Sequence, residues 1–299
     1  MRVVVLGTGA LGCVFAARLA GCSDVWMLGT WAEAIAAVQR DGILVDDPDG
    51  KERRAFISAA SSPAAVPPAD VALILVKSYQ TERAAAWAAQ LLKGDGLAVT
   101  LQNGLDNMAK ITAAVGEDRA SSGVTYIGAT LIGPAHVRHT ANLPSYIGLS
   151  PATSQRVDAF ASLLSRTGLE THTTLDAESM AWSKALANAV INPLTALWRV
   201  PNGNLVQGVD RRGLLAQLVQ EAVAVAHARG ISLPFEDPLA HVEAVCRSTA
   251  PNRSSMLQDV DRGRPTEIDS INGVIVAEGR RLGVPTPLNE AVWRLVRGI

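Results

Sequence analysis

The residues best suited to chemistry are a lysine and two asparagines that recur at every fourth position of one apolar segment. The segment covers residues 182–197, is rich in alanine and aliphatic residues, and contains Lys184, Asn188 and Asn192. This composition predicts a helix packed on several sides. Residues four apart drift by only about 80° over these three positions of a helix, so the ammonium and the two amides form one polar stripe.

The stripe favours a ligand-binding surface over an ordinary solvated face of a helix. Surface helices usually carry Glu, Arg or Gln on their solvated face, whereas Asn is a poor helix former. A buried ammonium or amide is costly unless it has partners. We therefore expect Lys184, Asn188 and Asn192 to face a cleft that holds a ligand rich in oxygen atoms.

A glycine motif lies between a predicted strand and a predicted helix near residue 7. An aliphatic run at residues 2–6 precedes it, and a helical pattern at residues 13–20 follows it. The first glycine permits a tight turn, the second lets the backbone approach a pyrophosphate, and the third lets the helix pack closely on the strand. We predict a dinucleotide site here; the alternative is a tight connection and nothing more. Its residues are Gly7, Thr8, Gly9, Ala10, Leu11 and Gly12.

The residues after the second predicted strand, at residues 24–28, leave the choice of dinucleotide open. An acidic residue there would favour NAD, and an arginine would favour the 2′-phosphate of NADP. The chain has Thr30 and Trp31 instead. Thr30 could hydrogen-bond either form of the ribose, and Trp31 could pack on the adenine.

Two further polar residues follow predicted strands of the same sheet. Lys77 ends the apolar run at residues 70–77, and Asn103 follows the run at residues 96–101. Ligands of doubly wound sheets bind at the carboxyl ends of the strands, so both residues could contact cofactor or substrate. The alternatives are a solvated surface lysine and an Asn-Gly turn.

The order of the patterns divides the chain of 299 residues into two domains. Further strands at residues 121–127, 136–140 and 145–149 predict a mixed or antiparallel extension of the first sheet, and the pattern beyond residue 173 is almost entirely helical. The prediction is an α/β protein with an N-terminal Rossmann-type doubly wound sheet at residues 1–173, binding the dinucleotide. A C-terminal all-helical domain at residues 174–299 would hold the substrate and the catalytic residues.

Several polar residues of the helical part have both a structural and a functional interpretation. Asn202 lies in a Pro-Asn-Gly turn that interrupts the long helix. Ser255 with Gln258 fits a capping box, but the same arrangement suits a carboxylate ligand. Glu267 falls in the first turn of another predicted helix, with Thr266 and Asp269 as possible caps, where an acidic residue is ordinary.

Composition argues against several classes of partner. The chain has 27 Lys and Arg against 28 Asp and Glu, a balance that argues against nucleic acid or an anionic membrane as main partner. No apolar run approaches the roughly 18 residues needed to span a bilayer, and the first apolar run is too short for a signal peptide. Cys13, Cys22 and Cys246 are odd in number and lack the spacing of metal ligands, which suits a reducing cytoplasm and gives no support to a metal site.

Together the motifs resemble the ketopantoate reductase (2-dehydropantoate 2-reductase) family over essentially the whole chain. The specific part is Lys-x3-Asn-x3-Asn-Pro-Leu-Thr followed by Pro-Asn-Gly, since the glycine loop is common to many dehydrogenases. The resemblance implies a Rossmann domain and a helical domain like the C-terminal domain of 6-phosphogluconate dehydrogenase, with the active site between them. The motifs lie at residues 7–12, 102–104, 182–184, 192–195, 201–203, 252–255 and 265–269.

The resemblance also implies roles for individual residues. Lys184 would donate the proton, Asn103 would contact both cofactor and substrate, and Glu267 would lie by the cofactor and the reacting oxygen. At Thr30, members that use NADP commonly have arginine, which puts the strength of NADP selectivity in doubt. The implied substrate contacts are Asn103, Lys184, Asn188, Asn192, Asn202, Asn252 and Ser255. The implied cofactor contacts are the glycine loop, Thr30, Lys77, Asn103, Ala129 and Glu267.

The implied reaction is the NADPH-dependent reduction of ketopantoate to pantoate in the biosynthesis of pantothenate and coenzyme A. NAD is not excluded as cofactor, and an apolar helical domain makes a homodimer plausible. One alternative is another 2-oxo-acid or 3-hydroxy-acid dehydrogenase of the same architecture. A different class is a protein that senses NADP without catalysis, but such a protein would not need the stripe formed by Lys184, Asn188 and Asn192.

Overall fold

A computed structural model describes residues 1–299, and the chain forms two compact units. The first unit contains residues 1–102 and 107–177, and the second contains residues 103–106 and 178–299. The predicted boundary at residue 173 thus lies four residues before the division by contacts. The sequence did not predict that the short segment 103–106 would pack with the helical unit.

The first unit contains every strand of the chain, arranged in two sheets. Its helices are α1 (Ala10–Leu19), α2 (Ala32–Asp41), α3 (Thr81–Leu91), α4 (Asn107–Val115) and α5 (Ser154–Arg166). The strands are β1 (Arg2–Leu6), β2 (Asp24–Leu28), β3 (Ile43–Asp46), β4 (Glu52–Ala55), β5 (Ser58–Ala60), β6 (Ala69–Ile74), β7 (Leu92–Thr100), β8 (Ala120–Thr125), β9 (Gly128–Gly133), β10 (His136–Ala141), β11 (Ser145–Gly148) and β12 (Thr171–Thr174).

The larger sheet has eight strands in the order β12-β11-β8-β7-β6-β1-β2-β5. All neighbouring strands are parallel except β8 and β11, so the sheet is mixed at this end. Of the three strands predicted for this extension, the one at residues 136–140 instead belongs to the second sheet, as β10. The central strands are apolar because helices cover both faces: α1, α2 and α5 contribute to one apolar cluster, and α3 and α4 to the other. This is the doubly wound arrangement that the glycine motif predicted.

A second, four-stranded sheet in the order β4-β3-β10-β9 packs its apolar residues with those of α1. Of its strands only β10 was predicted. A partly buried ion pair joins α1 to this sheet region, since Arg18 Nη2 lies 2.6 Å from Asp47 Oδ1. His139 Nδ1 lies 3.4 Å from the same carboxylate oxygen.

The second unit is helical, as predicted, and has its own apolar core. Two irregular segments interrupt it: a 3₁₀ helix at Asn202–Val206 and a π-helical turn at Asp269–Gly273. None of the chain's helices combines the length and the hydropathy that crossing a membrane requires. The helices are α6 (Ala177–Trp198), α7 (Val209–Ala228), α8 (Pro238–Ser248), α9 (Ser255–Asp261), α10 (Val274–Leu282) and α11 (Pro287–Arg297).

Candidate active site

The glycine motif connects β1 to α1, and two of its glycines are required by the backbone. Gly7 has a φ of 127°, and a Cβ there would lie 2.8 Å from the Leu75 carbonyl oxygen. A Cβ on Gly12 would lie 2.1 Å from the Gly7 carbonyl oxygen, so the close packing of helix on strand requires glycine. A Cβ on Gly9, by contrast, would meet nothing within 4 Å.

The open space beside Gly9 adjoins the N-terminus of α1, and together they fit a bound pyrophosphate. Gly9 is the N-cap of α1, no side chain caps that end, and its first turn has no acidic residue. The first backbone N–H groups of α1 therefore have no side-chain acceptor, and the helix dipole favours an anion there. The chemistry of the loop is thus that of a dinucleotide site.

Thr30 and Trp31 follow the carboxyl end of β2, because the strand has its predicted bounds. Thr30 is exposed, and Trp31 is partly buried and precedes α2. Between them and β2, a Cβ on Gly29 would lie 2.7 Å from Thr8 Cγ2, so the glycine loop and the end of β2 are in contact. Thr30 therefore lies beside the glycine loop on the same sheet edge.

Lys77 and Asn103 differ from their predicted settings. β6 ends at Ile74, so Lys77 is not the end of a strand but lies in the following loop, directly before a 3₁₀ helix at Ser78–Gln80. Asn103 belongs by its contacts to the helical unit, where the N–H of Leu105 donates to the Ser270 carbonyl at 3.0 Å. Asn103 is therefore in the same unit as Lys184. Ala129 lies in β9, opposite His139.

The polar stripe lies on one helix, α6, as predicted. Its members become more buried along the helix: Lys184 and Asn188 are partly buried, whereas Asn192 is only 5% exposed. Most other residues of α6 are buried, so the helix is packed on several sides.

Lys184 has an unusual pKa for a lysine. Burial lowers the pKa of its ammonium group to about 8, and the negative charge of Glu267 opposes part of this lowering. Glu267 is itself 7% exposed, so its carboxylate acts on Lys184 through a poorly solvated region. A lysine with this pKa exchanges its proton near neutral pH, as a general acid requires.

A proline inside α6 explains how this helix is fixed to the segment after Glu267. Pro193 has no N–H group, so the Ala189 carbonyl lacks its usual partner four residues later. Asn272 supplies the missing donor, because its Nδ2 lies 2.8 Å from the Ala189 carbonyl oxygen. Asn272 is fully buried and also donates to Asn289 Oδ1 at 3.1 Å.

The segment that carries Glu267 does not form the predicted regular helix. The π-helical turn begins at Asp269 and continues into α10, so Glu267 precedes the helix and does not lie in its first turn. Thr266 Oγ1 accepts a long hydrogen bond of 3.4 Å from the Ile268 N–H, whereas Asp269 accepts from Trp293 Nε1 and does not cap. Single π-helical turns occur frequently at functional sites.

The predicted capping box at Ser255 is wrong by one residue. Ser254 is the N-cap of α9 and accepts a hydrogen bond from the Leu257 N–H at 3.1 Å. Thr195 of α6 donates to Ser254 Oγ at 2.7 Å, which fixes the start of α9 to α6. Ser255 is exposed at the first position of α9, and its hydroxyl is not used for capping.

Asn202 begins the 3₁₀ helix after α6, and this segment pairs through its backbone with the loop that contains Asn252. The Asn202 N–H donates to the Asn252 carbonyl at 3.0 Å, and a Cβ on Gly203 would lie 2.6 Å from Ala250 Cβ. Asn202 is 7% exposed, and its Nδ2 donates to Thr249 Oγ1 at 2.9 Å, while its buried Oδ1 has no hydrogen-bond partner. Asn252 is exposed.

Sequence reasoning missed Asn272, Thr195 and Ser254 as residues that position the site. Pro193 in the middle of a helical pattern was a usable signal, because an unpaired carbonyl four residues earlier requires a donor from elsewhere. The donor itself is 83 residues away along the chain, and no local pattern identifies it. No group of three or more His, Cys, Asp or Glu side chains in the chain could hold a metal ion.

Comparison with known proteins matches both units. The family described as ketopantoate reductase PanE/ApbA matches residues 3–152, and its C-terminal counterpart matches residues 176–299. A 2-dehydropantoate 2-reductase of Halobacterium salinarum is 37% identical over 299 residues, covering 99% of this chain and 98% of the relative. One from Archaeoglobus fulgidus is 32% identical over 305 residues, covering 100% of this chain and 97% of the relative.

Solved structures agree with the sequence comparison. A PanE/ApbA family ketopantoate reductase from Ralstonia eutropha JMP134 has a TM-score of 0.92 at 30% identity, covering 99% of this chain and 97% of that one. D-mandelate dehydrogenase in complex with NADH and anilino(oxo)acetate has a TM-score of 0.94 at 26% identity, covering 100% of this chain and 98% of that one. On the family matches and the identities over the full chain, this protein belongs to the ketopantoate reductase family.

Proposed function

We propose that the chain reduces the 2-oxo group of ketopantoate to the alcohol of pantoate, with NADPH in preference to NADH. The observation that carries the proposal is the pKa of about 8 that burial gives to Lys184, on a helix that also bears Asn188 and Asn192. Such a lysine can give up a proton near neutral pH. In a member of the ketopantoate reductase family, the group that needs this proton is the ketone oxygen, which gains negative charge as the hydride adds to the carbon.

The first unit would hold the nucleotide. The glycine loop would bind the pyrophosphate at the N-terminus of α1, and Thr30, Lys77 and Ala129 would contact the rest of the cofactor. When bound, the reduced nicotinamide supplies the hydride that adds to the 2-oxo carbon. This chain's residues would orient the two reactants, exclude water and deliver the proton.

Lys184 would act on the carbonyl oxygen. Its ammonium group would hydrogen-bond to the oxygen, stabilise the negative charge that develops there and transfer its proton to give the alcohol. Glu267 would keep Lys184 protonated over a wider pH range, because its negative charge raises the pKa that burial lowers. The carboxylate would thereby support the acid form of the lysine, which is the form that reduction uses.

Polar side chains of the helical unit would fix the substrate. Amide groups suit the hydroxyl and carboxylate of ketopantoate, since they donate and accept without a net charge. The exposed hydroxyl of Ser255 at the N-terminus of α9 could add a hydrogen bond to the carboxylate. The proposed substrate contacts besides Lys184 are Asn103, Asn188, Asn192, Asn202, Asn252 and Ser255.

A second candidate is an NADH-dependent dehydrogenase that acts on another 2-oxo acid. The likeness to D-mandelate dehydrogenase with NADH favours it, as does the uncharged Thr30 at the end of β2. The fold alone does not separate the two, because one architecture can serve several 2-oxo acids.

Steady-state kinetics with a panel of 2-oxo acids tests the proposal. Ketopantoate, pyruvate, 2-oxoisovalerate and benzoylformate would each be supplied with NADPH and with NADH. We expect the highest kcat/KM for ketopantoate with NADPH. A higher kcat/KM for benzoylformate with NADH would favour the second candidate, and binding of NADPH without turnover of any acid would favour a sensor. A cytoplasmic location, a homodimer and a place in pantothenate biosynthesis remain predictions.

A further inference from the structure

The end of β2 has no charged residue of its own where a 2′-phosphate would need one. In doubly wound domains the adenosine ribose lies beyond the carboxyl end of this strand, and an arginine there binds the 2′-phosphate of NADP. β2 ends at Leu28, and Thr30 follows in an exposed position. The nearest charged residue along the chain is the exposed Glu33, in the first turn of α2, whose charge would repel a phosphate.

A guanidinium group from a different element reaches this position. Arg83 Nη2 donates to Thr30 Oγ1 at 3.4 Å, although the two residues are 53 positions apart. Arg83 is the third residue of α3, the helix that follows β6 and the loop containing Lys77. Arg83 of α3 therefore places a positive charge beside the end of β2, where the residues of that strand and its loop supply none.

The contacts of Arg83 hold the side chain and leave its charge available to an anion. Its Cζ lies 5.5 Å from the centre of the Trp87 ring, one turn farther along α3. Apart from this ring, its partner is the neutral Thr30 hydroxyl, and no carboxylate pairs with it. A guanidinium that stacks on an aromatic ring keeps its N–H groups free for the two parallel hydrogen bonds that a phosphate accepts.

We propose that Arg83 is the residue that binds the 2′-phosphate of NADPH, with the Thr30 hydroxyl as a second hydrogen-bonding group. This inference rests on the proposed function, because it concerns the cofactor of the same reaction. It assigns selectivity for NADPH to α3 instead of to the residues after β2. The chain would thereby retain a preference for NADPH without an arginine at residue 30.

Binding of nucleotides in the absence of substrate tests the inference. Calorimetry would give dissociation constants of adenosine 2′,5′-bisphosphate, 5′-AMP, NADPH and NADH for the wild type and Arg83→Ala. A charged hydrogen-bonding pair of this kind contributes about 10–100-fold in affinity. We therefore expect Arg83→Ala to raise the dissociation constants of the bisphosphate and NADPH by about this factor. The dissociation constants of 5′-AMP and NADH should change by less than about twofold.

Two further variants serve as controls. Arg40→Ala removes another exposed arginine of the first unit, one that pairs with Asp41, and it should leave all four dissociation constants unchanged. Arg83→Lys keeps the charge without the fork of donors, so it should restore part of the affinity for NADPH. Thermal unfolding of each variant would verify the fold.

Three outcomes would overturn the inference. One is an Arg83→Ala protein that keeps the wild-type ratio of NADPH to NADH affinity. Another is a wild type that binds both nucleotides equally. The third is a preference for NADH that Glu33→Gln abolishes, because that would assign the ribose contact to the acid. The first outcome would leave the proposed function intact, whereas the other two would also remove its preference for NADPH. None of the three concerns turnover of ketopantoate, which the kinetics with the panel of 2-oxo acids test separately.

Discussion

At the scale of single residues, the central feature is a lysine whose environment changes its acidity. A lysine in water has a pKa of about 10.4 and holds its proton too firmly to be an efficient acid at neutral pH. Burial lowers the pKa of Lys184 to about 8, and Glu267 limits this decrease. The two effects have opposite signs, so a variant that removes one of them reveals the other.

Replacing Glu267 by Gln should lower the pKa of Lys184 further. Reduction uses the protonated lysine, so kcat/KM is fully present below its pKa and is lost as pH rises through it. In Glu267→Gln we therefore expect this alkaline decrease of kcat/KM to begin at a lower pH than in the wild type. Glu236→Gln, which removes an exposed carboxylate of the same unit, should leave the pH dependence of kcat/KM unchanged. An unchanged profile, or one displaced to higher pH, in Glu267→Gln would contradict the assignment.

At the scale of elements, α6 is fixed by a side chain that repairs its hydrogen bonding. Replacing Asn272 by Leu should leave the Ala189 carbonyl buried without a donor and lower the free energy of unfolding by about 1–3 kcal/mol. Changing Pro193 to Ala returns an N–H group to the helix. We therefore expect the double variant to be more stable than Asn272→Leu alone, as measured by denaturant unfolding. An equal loss of unfolding free energy in Asn272→Leu and in the double variant would contradict the pairing of Pro193 with Asn272.

The glycine loop allows packing and nucleotide binding to be separated. Gly9 has a φ of −81°, and a Cβ there would meet nothing, so Gly9→Ala should fold with nearly the stability of the wild type. Its methyl group would occupy the space of the pyrophosphate and raise the dissociation constant of NADPH by about tenfold or more. Gly12→Ala should instead lose ~3 kcal/mol or more of stability, because its Cβ would clash with the Gly7 carbonyl. Tight NADPH binding by Gly9→Ala, measured by calorimetry, would contradict this location of the pyrophosphate.

Elements with strong apolar patterns could be predicted from the sequence, and those without them could not. The aliphatic runs of β1 and β2 predicted these strands with the observed bounds. β6 ends three residues before its predicted end, and β7 begins four residues before its predicted start, where residues 93–95 are exposed. β4 has the sequence Glu-Arg-Arg-Ala, and β9 contains two glycines, so neither has an apolar alternation that indicates a strand. The π-helical turn before α10 differs from an α-helix by its hydrogen bonds, which the pattern of side chains does not encode.

At the scale of the whole molecule, the two units divide the proposed work. The first has the glycine loop and Arg83, which would hold the nucleotide, and the second has Lys184 and the asparagines, which would act on the substrate. Asn103 follows a strand of the first unit yet packs with the second. The sequence could predict the glycine loop and the polar stripe because each is a local pattern, but it did not predict Arg83 or the packing of Asn103.

Contacts between distant residues set the limit of what the sequence could predict for the site. Lys184, Asn188 and Asn192 share one helix, so their common face followed from spacing alone. The pairing of Arg83 with Thr30 spans 53 positions, and that of Asn272 with Ala189 spans 83. Such pairs depend on the packing of whole elements, and a single sequence contains no periodic signal for them.

The most direct measurement of the central claim is the pH dependence of ketopantoate reduction by the wild type and by Lys184→Ala. For the wild type we predict a kcat/KM with NADPH that is constant at neutral pH and decreases above a pKa of about 8. In Lys184→Ala we predict a turnover lower by roughly 10²–10⁴-fold, no such decrease, and an unchanged dissociation constant for NADPH. A variant with turnover close to that of the wild type, or with the same alkaline decrease, would contradict the role of Lys184 as proton donor.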